Sequence, residues 1–244
     1  MPYLTVEEMR DNREFLKEEE KKDLEKNGGS RFVGSTDVDL ALTFFSKDEQ
    51  LLECGPSAGV FANVLQNYGF KNIHELDFID VLICPDRSKL TFQEIDFNKD
   101  LFPYANQYFE GVTAWGLMEH LENPYHFMRE VHRVLKNDHY FLMAVPSIFH
   151  YWSRLIFLKA GLFPRWNHRN NHIALFPHGV FEKIFLRYFT LEKTLYTKPS
   201  FRLNIFDWTS KYAPHNEWFG NYVVYVLKRK EFVPFVAKKN RPTA

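Results

Sequence analysis

One stretch restricts the fold of this 244-residue chain more than any other: Leu51-Leu52-Glu53-Cys54, then Gly55-Pro56-Ser57-Ala58-Gly59, then Val60, Val64 and Leu65 at helical spacing. A short apolar run, a turn of small residues and a periodic apolar run make a strand, loop, helix unit. The turn needs residues with little side chain, so that the backbone can bend tightly and come close to a ligand. The alternation then continues. Residues 72–77, 90–95, 111–115, 139–145, 190–196 and 222–227 read as six further strands. Pro124 can open a helix that carries Phe127, Met128, Val131, Val134 and Leu135 on one side, and residues 177–188 read as another. Strands separated by helical patterns imply an α/β domain with a parallel sheet and right-handed crossovers.

The two ends of the chain differ in texture from this middle. Thr5 with Glu8 has the capping-box pattern, and Val6, Met9, Arg13 and Leu16 follow helical spacing up to Gly28-Gly29, which predicts a solvated helix over residues 5–27. Residues 147–220 hold 18 aromatic side chains and a net charge of +6, whereas residues 1–30 carry net −3. Within that aromatic, basic part, residues 197–220 read as a long loop, and loops of such length in a compact domain are usually lids. The chain is therefore expected to be a single domain over residues 1–244, with an N-terminal helix in 1–30 and an acceptor-binding cover supplied by 147–220.

The overall charge is zero, from 31 basic and 31 acidic residues, which argues against a nucleic-acid binder that works by counterion release. Two cysteines, Cys54 and Cys84, give no disulfide framework and no zinc spacing. No basic start followed by an apolar run opens the chain, and no segment approaches the length of a membrane span, so a cytoplasmic protein without a membrane span is expected.

Three chemistries use a turn of this shape. Gly55-Pro56-Ser57-Ala58-Gly59 formally satisfies the G-x-S-x-G elbow of serine hydrolases, but that elbow normally follows several sheet strands and an upstream oxyanion loop, and here only a polar helix precedes it. As a dinucleotide fingerprint it has the closing glycine one position early and no basic partner for phosphates. The third pattern extends well past one motif. Glu53-Cys54-Gly55-Pro56-Ser57-Ala58-Gly59 resembles the E/D-x-G-x-G-x-G motif of class I S-adenosylmethionine-dependent methyltransferases, of the small-molecule, type 11-like kind, with Ser57 in place of the middle glycine. Asp77, in IHELDF at residues 73–78, stands where that family places an acid for the ribose. The block from Glu94 to Ser147, EIDFNKDLFPYANQYFEGVTAWGLMEHLENPYHFMREVHRVLKNDHYFLMAVPS, resembles its continuation.

The resemblance implies a Rossmann-like seven-stranded methyltransferase sheet with flanking helices, an N-terminal helix and an aromatic lid insertion. It implies S-adenosyl-L-methionine as cofactor. Gly55, Ser57 and Gly59 would line its methionine and ribose portion, with Glu53 supporting the turn from beneath. Asp77 would accept from the ribose hydroxyls and Asp96 from the adenine amino group. Phe78 and Phe97 would flank the adenine, and Trp115 would lie where the chain passes the methionine group. The implied activity is methyl transfer to a small-molecule acceptor, at oxygen, on a sugar-, phosphate- or lipid-linked metabolite.

Methyl transfer from a sulfonium is an in-line displacement, so the protein must chiefly align donor and acceptor, and a base helps an alcohol or phenol lose its proton. His120, after the fourth strand, is the candidate base. Glu119-His120 also resembles a pair that helps bind a divalent metal in related quinone O-methyltransferases; those have a further glutamate where this chain has Gly116, and no metal is expected. His168 and His172 stand four apart without an acid to complete a metal site. His150, Tyr151, Arg154, Trp166 and His172 are the candidate acceptor contacts, because rings beside guanidinium groups suit a sugar, an aromatic ring or a phosphate. The competing reading is a protein that binds S-adenosylmethionine without catalysis and serves as a partner-binding module.

Overall fold

The structure, a computed structural model, describes residues 5–27, 34–83, 86–167, 170–203, 206–208 and 213–234. Cys84, His168 and Arg169 lie outside the described residues. Helix α1 (Val6–Asn27) begins as expected: the Thr5 amide donates to Glu8 Oε2 at 2.7 Å and the Glu8 amide to Thr5 Oγ1 at 3.2 Å. It is followed by α2 (Ser35–Phe44), β1 (Gln50–Cys54), α3 (Val60–Asn67), β2 (Asn72–Asp77), β3 (Leu90–Glu94), β4 (Phe109–Trp115), α4 (Pro124–Val134) and β5 (Leu135–Pro146). The last third adds α5 (Tyr151–Ala160), α6 (His178–Ile184), β6 (Phe189–Pro199), a small hairpin of β7 (Phe201–Leu203) and β8 (Phe206–Trp208), and β9 (Gly220–Arg229).

Seven strands form one sheet in the order β3-β2-β1-β4-β5-β9-β6, parallel from β3 to β5. Each expected strand is present. The sheet is mixed rather than wholly parallel, because β9 runs antiparallel to both β5 and β6. The 197–220 segment, read from sequence as loop, contains the last part of β6 and the β7–β8 hairpin. Helices α2 and α5 had no expectation attached to them. Among the described residues no helix is long and apolar enough to cross a membrane.

Side chains alternate between the two faces of the sheet, which makes two cores. Leu52, Val112, Phe141, Met143, Val223 and Tyr225 point towards α4 and α6, where Phe127, Met128, Val131 and Phe181 meet them. Leu51, Ile73, Leu142, Val224 and Val226 point to the other face, covered by α2 and α3 through Leu40, Ala41, Phe61 and Leu65. The α4 stripe predicted from sequence is completely buried, and each such side chain contributes about 1.5–3 kcal/mol of burial. Gly111 of β4 leaves room for the second face: a Cβ there would lie 2.6 Å from both Leu51 Cδ2 and Phe45 Cε1. Gly111→Ala is therefore expected to destabilise by about 1–3 kcal/mol, read as a lower denaturation midpoint.

Three acids, Glu53, Glu75 and Asp77, are buried at the ends of β1 and β2. Burial pushes Glu75 up to about 8, with Asp80 and Asp77 adding to it and Arg87 opposing, and neither of its carboxyl oxygens has a partner. The folded state thus holds this proton more tightly than the unfolded chain. The stability it contributes is whole below the ordinary glutamate value of 4.5 and is lost as pH rises towards about 8. Glu75→Gln should raise stability at about pH 8 by on the order of 1–3 kcal/mol, and should flatten the fall seen by chemical denaturation between about pH 6 and about pH 8.

Candidate active site

The sheet grows in opposite directions from β1, whose neighbours are β2 and β4, so a crevice opens at the carboxyl edge between them. The turn leaving β1 borders it. Gly55, Ser57 and Gly59 take φ of +75°, +52° and +77°, so three of these five residues are left-handed. At Ser57 that conformation costs an L-residue about 1–2 kcal/mol, which is a backbone reason for glycine at the corresponding position of the motif it resembles. At Gly55 an added Cβ would sit 3.2 Å from Leu117 Cδ1. The Gly55 amide donates to the Leu76 carbonyl at 2.8 Å, tying the turn to the end of β2, and Gly59 caps α3.

A cavity of about 170 Å³ lies against this turn. Glu53, Gly55, Pro56 and Ser57 form one wall, and Trp115, Gly116 and Leu117, where the chain leaves β4, form the next. Glu119, His120 and His172 close the far side, while Asp37, Thr197, Lys198 and Tyr222 close the near one. Among the described residues nine buried side-chain atoms lack a hydrogen-bond partner, and four of them, Glu53 Oε2, Trp115 Nε1, Glu119 Oε2 and His172 Nδ1, belong to residues lining this cavity. Buried polar groups without partners are rare in folded proteins, and their concentration marks a place where a ligand supplies the missing bonds.

The turn after β4 is built to hold His120 and His172 together. The Glu119 carbonyl accepts from the Ile173 amide at 2.7 Å and the Ala174 amide at 3.0 Å, which pins the 171–174 segment beside Met118–His120. The two imidazoles then meet edge to face with centroids 4.7 Å apart. His120 Nδ1 lies 3.3 Å from the Asn171 carbonyl, which can only accept, so this contact is a hydrogen bond in the tautomer that carries its proton on Nδ1. Burial, then the charge of Arg165, lowers the pKa of His172, and burial pushes Glu119 up to about 8, so both are neutral near pH 7. Burial, with Glu75 and Asp77 adding to it, also holds the Glu53 carboxyl well above the usual carboxylate range. Glu119, His120 and His172 each offer a ligand atom, all within 4.8 Å of one another. Where the sequence lacks a third metal ligand at Gly116, the fold thus brings His172 near the pair.

The other sequence-selected residues are distributed as follows. Asp77 is buried beside the turn: Oδ1 accepts from the Phe78 amide at 2.7 Å and Oδ2 from the Ser57 amide at a long 3.4 Å, so its carboxylate is not among the groups lining the cavity. Phe78 is half-buried next to it. Asp96 accepts from the Asn98 amide and pairs with Lys99, shaping its own turn. Phe97 is in the core, edge-on to Phe102 and Phe127. Of the acceptor candidates only His172 reaches the cavity. His150 caps α5, accepting from the Trp152 amide through Nδ1 and lying 3.1 Å from the Ser200 carbonyl through Nε2. The Tyr151 amide donates to the Trp218 carbonyl, and Arg154 pairs with Glu217 over the Trp218 ring. Trp166 Nε1 donates to the Ala174 carbonyl at 3.0 Å, and its ring lies edge-on to His172 in a neighbouring groove.

Asp37, Lys198 and Tyr222 were not anticipated from the sequence. Asp37 lies on α2, and Thr197 and Tyr222 are register partners in the antiparallel β6–β9 pair. No local motif marks them, because only the sheet topology carries the C-terminal strands to the crevice.

Solved structures share this fold. An S-adenosylmethionine-dependent methyltransferase from Thermotoga maritima shares the fold with a TM-score of 0.60 at 15% identity, over 89% of this chain and 97% of that one. One from Archaeoglobus fulgidus gives a TM-score of 0.60 at 17% identity, over 84% and 97%. One from Mesorhizobium loti gives 0.55 at 13%, over 80% and 99%. No curated protein matches the chain. The family described as Methyltransferase domain matches residues 7–188, which take in the glycine turn, the histidine pair and all of the cavity lining except Thr197, Lys198 and Tyr222, and the chain accordingly belongs to that family of S-adenosylmethionine-dependent methyltransferases.

Proposed function

We propose that the protein transfers the methyl group of S-adenosylmethionine to an oxygen of a small-molecule acceptor in the cytoplasm, with His120 as the base. The observation that carries this reading is the single cavity shared by the left-handed glycine turn and the His120–His172 pair, with unpartnered polar atoms on both sides. The cofactor, when bound, would supply an activated methyl carbon, from which an attacking oxygen displaces the neutral thioether in line. The chain's own residues bind, orient and take a proton. The Gly55–Gly59 turn lets the cofactor approach the backbone, and Trp115 and Gly116 border its methionine side. Asp77 accepts from the ribose hydroxyls; the long contact from the Ser57 amide is the one that yields. His120 Nε2 takes the acceptor's proton as the oxygen attacks, while Nδ1 stays anchored on the Asn171 carbonyl. Asp37, Thr197 and Tyr222 help keep water from the reacting atoms.

Calorimetric titration with S-adenosylhomocysteine and a screen of metabolite fractions with methyl-labelled donor test this together. Binding with label transferred to an oxygen supports the proposal. Binding without transfer to any fraction supports the non-catalytic reading, and no binding at millimolar product overturns both.

A further inference from the structure

Helix α5 is built inside out for a water-exposed surface. Its one buried residue is Ser153, while Trp152 is 42% exposed, Leu155 53%, Phe157 47% and Leu158 81%, with Leu162 just beyond the helix at 60%. Trp152, Leu155 and Leu158 recur every three residues and so share one side of the helix, and the exposed Lys159 adjoins them. Exposed large apolar side chains concentrated in this way mark an interaction surface.

The charge around the helix says what covers it. Between Asp138 and Glu182 the sequence contains no acidic residue, whereas Arg154, Lys159 and Arg165, among the described residues, are cationic. Arg154 is paired with Glu217, which enters from the β8–β9 connection, and Arg165 donates to Asn221 and lies over the Tyr222 ring. A short helix with Trp and Leu outward and the exposed Lys159 beside them, in a run of sequence without acidic residues of its own, matches the chemistry of an anionic lipid headgroup layer over hydrocarbon. The patch also leads somewhere. Ile156, Leu162, Phe163 and Trp166 line a groove of about 520 Å³ that ends at His172, and His172 is shared with the cavity that holds His120.

We infer that α5 docks this protein peripherally on an anionic lipid bilayer, and that the groove beside it receives the apolar part of an acceptor drawn from that surface. The docking stands on the helix alone, whereas the route to His120 rests on the methyl-transfer reading given above.

Flotation of the full chain with vesicles tests the docking. The chain is expected to float with phosphatidylcholine vesicles that contain phosphatidylglycerol, and to float less as salt rises. It is expected to bind phosphatidylcholine vesicles alone much more weakly. Leu155→Glu with Leu158→Glu should lower partitioning by on the order of tenfold or more. Both side chains are exposed, so the pair should leave folding and S-adenosylhomocysteine affinity unchanged. The inference is overturned if the native chain does not float with anionic vesicles, or if the pair floats as well as native. It is equally overturned if the chain is a dimer in solution that the pair dissociates, because the patch would then be covered by a second copy. Loss of S-adenosylhomocysteine binding by the native chain, with flotation intact, would refute the methyl-transfer reading and leave the docking standing.

Discussion

Asp77→Ala is expected to weaken S-adenosylhomocysteine binding by on the order of 10²-fold or more, because in the function proposed above it removes the carboxylate that accepts from the ribose hydroxyls. The side chain also holds the turn, through the Ser57 and Phe78 amides, so part of the loss comes from the turn it no longer braces. The fold itself should survive. Asp77 is one of the groups that keep the Glu53 carboxyl protonated, and its removal relieves the acidic cluster at the strand ends. Asp77→Asn keeps one acceptor oxygen and should fall between native and alanine. An alanine variant with native affinity and a native denaturation midpoint would remove Asp77 from the cofactor site.

His120→Ala is expected to leave S-adenosylhomocysteine affinity unchanged and to slow turnover by on the order of 10²-fold or more, as loss of a general base does. His172 assists by staying neutral: burial and Arg165 hold it below the ordinary imidazole range, so it adds no repulsion when His120 is charged. Turnover that survives chelation belongs to the same expectation. Loss of activity with EDTA, restored by a divalent cation, would instead assign Glu119, His120 and His172 to a metal. Unchanged turnover in His120→Ala would place the base elsewhere.

Local chemistry wrote much of this protein into its sequence. The seven strands, the α1 cap, the α4 stripe and the small-residue turn were legible because each depends on residues close together in the chain: alternating burial, a hydroxyl and a carboxylate three apart, a left-handed backbone. The turn also gave Glu53, Gly55 and Ser57 their places at the cavity wall. What could not be read was any neighbour set by the sheet order. His172 stands far along the chain from His120 and meets it only because the Glu119 carbonyl captures the Ile173 and Ala174 amides. Asp37, Lys198 and Tyr222 reach the crevice through α2 and the antiparallel β6–β9 pair, and residue type alone does not announce such partners. His150, Tyr151 and Arg154 had the composition of an acceptor site, yet a backbone amide, a carbonyl or Glu217 claims each of them first. Sequence by itself determined the elements and the turn, because short-range sterics and periodicity decide those. Tertiary structure alone decided which side chains face the cavity and which are spent on holding the chain, because burial makes every polar group find the nearest partner that the folded geometry supplies.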